Sequence, residues 1–149
     1  MAEVIVVGVD GSASSHEALR WAVADARRRG VALRVVTAYR FPLAFAGSGA
    51  DPSLAAPDDQ QRAEAKIDEA LAVAGDLGDV AVDRRVLAGQ APGHGLVEAA
   101  ADALLLVVGQ RGLGGVSGFT LGSVSHYCVS HAQCPVVVVP EAPSVQAPS

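Results

Sequence analysis

The chain has 149 residues, half of them apolar and 18% charged, with a formal net charge of −5. This composition is that of a globular rather than a disordered chain and suits one domain with one sizeable core. The acidic balance argues against nucleic acid as the main partner, and no apolar run approaches the length of a membrane span.

The opening Met1-Ala2-Glu3 leads straight into an apolar run, without the charged start, long apolar stretch and cleavage site of a signal peptide. Two cysteines, Cys128 and Cys134, do not make a disulfide framework. Together these features predict a cytoplasmic protein.

Val4 to Val9 is a continuous β-branched run ending in Gly8-Val9-Asp10, the pattern of a central parallel strand buried on both faces. Ser14-Ser15-His16-Glu17 reads as a capping box opening a helix. That helix has Ala18, Leu19, Ala22, Val23 and Ala26 as its apolar stripe, and Gly30 stops it. Trp21 reads as a packing residue, and Arg27-Arg28-Arg29 as the solvated end of the helix, where cations suit the dipole. Leu33 to Tyr39 is a second strand. Phe41 to Pro57, rich in Pro, Gly, Ser and Ala, reads as a long loop, either a lid or disordered.

Asp58 to Ala74 forms a second helix, with Ala63, Ile67, Ala70, Leu71 and Ala74 on one face. Val80 to Leu87 reads as an edge strand, because Asp83, Arg84 and Arg85 interrupt it. Pro92 to Asp102 is a third helix, Leu104 to Val108 a fourth strand, Thr120 to Ala132 a fourth helix, and Val136 to Val139 a fifth strand between two prolines. Glu141 to Ser149 reads as a flexible, frayed tail, leaving residues 1–140 as a single domain. Strands alternating with helices imply right-handed βαβ units and a parallel sheet covered on both faces.

Ligands of such sheets sit at the C-terminal ends of the strands, where strand order reverses. Strand 1 ends at Asp10 and strand 4 at Gly109, so both face one crevice if the two strands are neighbours. Residues 109 to 122 hold six of the sixteen glycines, at Gly109, Gly112, Gly114, Gly115, Gly118 and Gly122. A turn requires two at most. A buried strand, a glycine-rich loop and a helix start form an anion site. Backbone N–H groups point outward there, the helix dipole favours negative charge, and the missing Cβ atoms admit a phosphate. Ser123 adds a hydroxyl, Val124 and Ser125 offer backbone N–H groups, and Arg111 reads equally as a phosphate fork or an exposed loop residue. Asp10 suits ribose hydroxyls, a divalent cation or a helix N-cap. The backbone around Ala38, closing strand 2, is placed to read an adenine edge.

His126, Cys128, His131 and Cys134 are poorly spaced for a metal, because positions 126 and 128 of a helix point to different faces. His16 and His94 have no evident partner. The glycine loop contains no lysine, the only one in the chain being Lys66, and there is no G-x-S-x-G elbow. Phosphoryl transfer needs concentrated positive charge and a positioned base, so the loop reads as holding a nucleotide rather than turning it over.

The spacing Gly109-x2-Gly112-x9-Gly122-Ser123 resembles the G-x2-G-x9-G-[ST] motif of nucleotide-binding universal stress proteins at every fixed position. The Val-Gly-Val-Asp-Gly-Ser end of strand 1 and the Cys-Pro-Val-Val-Val-Val segment are similar to that family too, and the resemblance runs to about Pro140. It implies a Rossmann-like, three-layer α/β/α sandwich with a five-stranded parallel sheet in the order 3-2-1-4-5. It further implies ATP binding, with Gly109, Gly112, Gly122, Ser123 and Val124 around the phosphates, Asp10 at the ribose, and Gly8, Val9 and Ala38 on the adenine side. Mg2+ is a possible companion of the ATP, and some members bind AMP or cyclic AMP instead. Pairing through the last strand is also implied, and a flat Val136–Val139 edge independently calls for a cover, met by an isologous homodimer.

The expected function is a dimeric, non-enzymatic, ATP-dependent regulatory module of the stress-response type. The alternatives are a slow ATPase using Asp10 and a divalent metal, or a ligand-independent dimer scaffold.

Overall fold

The computed structural model describes residues 3–39, 57–89, 91–111 and 121–141. The expected loop at Phe41–Pro57 lies outside them except for Pro57, as do Gly112, Gly114, Gly115 and most of the tail. The elements run β1 (Val4–Gly8), α1 (Ala13–Arg29), β2 (Ala32–Tyr39), α2 (Pro57–Ala74), β3 (Val82–Ala88), α3 (Pro92–Ala99), β4 (Leu105–Gly109), α4 (Ser123–His131) and β5 (Val136–Val139). The five strands form one parallel sheet in the order β3-β2-β1-β4-β5, as the resemblance implies.

Strict alternation along β1 divides its side chains between two apolar layers. Ile5 and Val7 pack with Leu19, Ala22 and Val23 of α1 and with Ile67 and Ala70 of α2. Val6 points to the other face, with Leu106 and Val108 of β4, Leu96 of α3 and Cys128 of α4. Val4 through Val7 are all buried, which is why that run carries no polar residue. β3, with Asp83, Arg84 and Arg85 exposed, is the edge its sequence predicts. Arg34 of β2 reaches across to Asp83 at 3.0 Å, and Arg84 pairs with Asp68 of α2 at 2.7 Å. β5 forms the opposite edge, with all four valines half-buried.

Two local readings need correction. The cap of α1 is Ser12, not the Ser14/Glu17 box: the Ser12 hydroxyl accepts from the Ser15 N–H at 3.2 Å. Ser14 is diverted to the Arg111 backbone and Glu17 to Arg20, so neither is available to cap. Trp21 is 37% exposed rather than packed inside, because the buried stripe passes through Leu19, Ala22 and Val23 on either side of it. The C-terminal stop holds: Gly30 takes φ 68°, and its N–H turns back to the carbonyls of Ala26 and Arg27. Just before it, Arg28 and Arg29 both pair with Asp25, a buried carboxylate near the end of the helix. His94 pairs with Glu98 one turn along α3 at 2.9 Å.

Cys128 and Cys134 are free thiols packed into the α3/α4 layer. Burial pushes the Cys128 thiol up to about 11, with the neighbouring Cys134 adding to the effect, and burial also raises Cys134. No helix among the described residues is long and apolar enough to cross a membrane.

Candidate functional site

The sheet connects outward in both directions from its centre, so β1 and β4 are neighbours whose following loops diverge. That divergence opens a crevice above the carboxyl ends of the two strands. The crevice is a cleft of about 560 Å³, including its open mouth. Gly8 and Gly109, the last residues of β1 and β4, both line it. Val36, Ala38, Leu96, Val108, Pro92 and Val124 supply apolar walls, and Asp10, Ser12, Ser15 and Arg111 supply the polar groups. A predominantly apolar hollow with a few convergent polar groups suits a small organic ligand carrying a polar end.

Asp10 is held by its own loop. Its Oδ1 accepts from the Ser12 N–H at 2.9 Å and from the Ser12 hydroxyl at 2.5 Å, and its N–H donates to the Ser15 hydroxyl at 3.2 Å. Asp10 therefore positions the capping residue of α1 rather than being that residue. Gly11 carries the chain round this turn at φ 89°.

The entry to the glycine loop is fixed from two directions. A Cβ on Gly109 would lie 2.7 Å from the carbonyl carbon of Ser14, so only glycine lets β4 end this close to α1. Two residues on, the Arg111 carbonyl accepts from the Ser14 hydroxyl, and the Arg111 N–H donates back to the same oxygen at 3.3 Å. The Arg111 guanidinium lies 3.4 Å from the Glu141 carboxylate. The far end of the loop returns to Gln110: its carbonyl accepts from the Gly122 N–H at 2.8 Å and from the Ser125 hydroxyl at 2.9 Å. The Gln110 N–H is bound to the Val139 carbonyl of β5 at 2.8 Å.

α4 starts beside this closure. Gly122 is its N-cap, with extended backbone and no side-chain cap. The first turn, Ser123 to Ser125, therefore presents the N–H groups that a helix leaves without internal partners.

Of the residues singled out from sequence, Gly8, Val9, Asp10, Ala38, Gly109, Arg111 and Val124 line the one cleft. Ser123 borders a separate, more open hollow between α3 and α4, shared with Val124 and Tyr127. Gly122 sits at the loop closure, and the buried Ser125 side chain turns inward to Gln110. Gly112, Gly114 and Gly115 lie outside the described residues. Sequence reasoning missed Ser12, Ser15, Val36, Pro92, Leu96 and Val108. Val36 was recoverable from register, because it stands opposite Gly8, two residues before Ala38. Pro92 and Leu96 arrive through the docking of α3, which leaves no local signal.

An open parallel α/β sheet with a cleft at its switch point defines a class of small-molecule-binding domains. The chain belongs to the universal stress protein family, whose model matches residues 1–140. Universal stress protein Rv1996 of Mycobacterium tuberculosis is 36% identical over 154 residues, covering 93% of this chain and 48% of that protein. The chain thus spans about half the length of the curated relatives it matches. A universal stress protein solved in complex with cAMP superposes with a TM-score of 0.68 at 31% identity, covering 95% of this chain and 98% of that one. The universal stress protein from Archaeoglobus fulgidus superposes with a TM-score of 0.71 at 26% identity, covering 93% and 94%.

Proposed function

We propose that this chain is an adenine-nucleotide-binding regulatory module, with ATP as its ligand, that works as a homodimer without catalysing a reaction. The observation that carries the reading is the single cleft shared by Asp10 from the end of β1, Ala38 from β2, Arg111 from the glycine loop and Val124 from the first turn of α4. In this assignment the base lies against the apolar wall of Val36, Ala38 and Leu96. The ribose faces Asp10. The phosphates take the Gly109–Gly122 loop with Gly112, Gly114 and Gly115, together with the amides of Ser123, Val124 and Ser125. Gly8 and Val9 border the base. Mg2+ would accompany the phosphates, supplying the positive charge that a loop without lysine lacks. The related protein solved with cAMP supports an adenine nucleotide as the class and keeps cyclic AMP and AMP as second candidates.

Regulation rather than catalysis follows from the residues around the phosphates. Backbone dipoles and one arginine bind charge but do not orient a nucleophile. The dimer would form through β5, whose four half-buried valines lie at a sheet edge paired on one side with β4. Two unpaired thiols suit a cytoplasmic setting.

Calorimetric titration of ATP, AMP and cyclic AMP against the purified chain tests the ligand. ATP should bind most tightly, and Gly122→Val, which fills the phosphate side of the loop, should abolish the heat. Phosphate release that requires Mg2+ and disappears in Asp10→Ala would instead establish the slow ATPase. Absence of binding by all three nucleotides would leave the dimer scaffold.

A further inference from the structure

Three residues at the turn from β1 into α1 close a ring of hydrogen bonds on one wall of the cleft. The Asp10 Oδ1 accepts from the Ser12 N–H at 2.9 Å and from the Ser12 hydroxyl at 2.5 Å. The Ser12 hydroxyl oxygen accepts in turn from the Ser15 N–H at 3.2 Å. The Ser15 hydroxyl donates to the Ser12 carbonyl at 3.0 Å, and its oxygen accepts from the Asp10 N–H at 3.2 Å. Each hydroxyl hydrogen is used once, and both are used inside the ring. All three residues line the cleft, while the two serines are only 8% and 4% exposed.

The ring decides what this wall offers a ligand. With both hydroxyl hydrogens committed, the serines have none to give. Asp10 is the only carboxylate among the described residues that line the cleft. An ionised carboxylate accepts hydrogen bonds and donates none. Two donors from one residue on a single oxygen fix the rotation of the whole carboxylate group. The wall therefore disfavours an anion beside it and suits a neutral hydroxyl donor. A site built to bond a hydroxyl discriminates against an analogue lacking it, because the buried acceptor is then left without that partner.

We propose that Ser12 is a positioning residue that sets selectivity for ribose over deoxyribose: it holds the Asp10 carboxylate in the orientation that receives a sugar hydroxyl, without itself donating to the ligand. The inference rests on the nucleotide reading above, and within it on Asp10 facing the ribose. Ser12 is also the N-cap of α1, so removing its hydroxyl has a structural effect as well. The two roles have different signatures. Loss of the cap weakens every nucleotide alike, whereas a misaligned carboxylate is felt only by a ligand whose sugar carries the hydroxyl.

The test titrates ATP, 2′-deoxy-ATP and 3′-deoxy-ATP calorimetrically against wild type, Ser12→Ala, Ser12→Gly and Ser12→Thr, with thermal midpoints measured alongside. The three ligands share one base and one triphosphate, so their affinity ratios isolate the sugar. Wild type should prefer ATP to at least one deoxy analogue by about tenfold or more, the worth of one hydrogen bond to a charged group. Ser12→Ala should reduce that preference to about threefold or less. Ser12→Gly should do the same while melting closer to wild type, because glycine at an N-cap costs a helix little. Ser12→Thr, which keeps the hydroxyl, should retain the wild-type preference. A wild-type ratio in Ser12→Ala and Ser12→Gly would overturn the positioning role, as would a lost preference in Ser12→Thr. Equal binding of all three ligands by wild type would remove Asp10 from the sugar and overturn the inference while leaving nucleotide binding in place. Failure of wild type to bind any of them would overturn the nucleotide reading itself, and the inference with it.

Discussion

Gly109 and Ser14 meet at a separation that leaves no room for a side chain: a Cβ on residue 109 would fall 2.5 Å from the Ser14 hydroxyl oxygen and 2.8 Å from its carbonyl oxygen. The obstruction is backbone as well as side chain, so rotation of Ser14 cannot relieve it. Gly109→Ala must push β4 and α1 apart at the point where they frame the cleft. Overpacking of this kind costs about 1–3 kcal/mol. The variant should melt several degrees lower than wild type and bind nucleotide at least about tenfold more weakly. A wild-type melting curve would show that the contact is looser in solution.

Gly8 provides the matched comparison. A Cβ there would meet only the end of the Leu96 side chain, at 2.8 Å. Leu96 can adopt another rotamer, so Gly8→Ala should fold with a loss of about 1 kcal/mol or less. It should still weaken nucleotide binding, because both residues line the cleft. Calorimetric unfolding of the two glycine variants checks the ranking, with Gly109→Ala expected to be the more destabilised.

Much of this was legible in the sequence. The unbroken Val4–Val7 run announced a strand buried on both faces, and the charged residues Asp83, Arg84 and Arg85 announced an edge. Asp10 and Gly109 were readable as crevice residues because strand ends in parallel sheets are topologically fixed. The start of α1 was not readable, because which of Ser12, Ser14 and Ser15 caps the helix depends on Arg111, nearly a hundred positions away. Nor was Leu96, which reaches the cleft only because α3 docks over Gly8. Trp21 failed for the converse reason: its type suggests burial, while its place on the helix turns it outward.

Cys128 makes stability depend on alkaline pH. Its thiol is raised from 9.0 to about 11 in the folded protein by burial, with Cys134 adding to it. The folded state therefore holds the proton more tightly than the unfolded state. That contribution is fully present below pH 9 and is lost as pH rises from about 9 towards about 11. The melting temperature of the wild type should fall over that window more steeply than that of Cys128→Ala, measured side by side. Parallel profiles would contradict the assignment.

The Val136–Val139 edge carries the proposed dimer. Val138→Lys places a charge on a half-buried edge position and should shift sedimentation from dimer to monomer while leaving most secondary structure intact. A wild type that sediments as a monomer would remove the dimer, not the nucleotide.

Native mass spectrometry of freshly purified protein tests the central claim most directly. Wild type should carry an adenine nucleotide at one per chain, and Gly122→Val should carry none. Wild-type protein that carries none, and that stays unliganded after incubation with ATP, AMP or cyclic AMP, would contradict it.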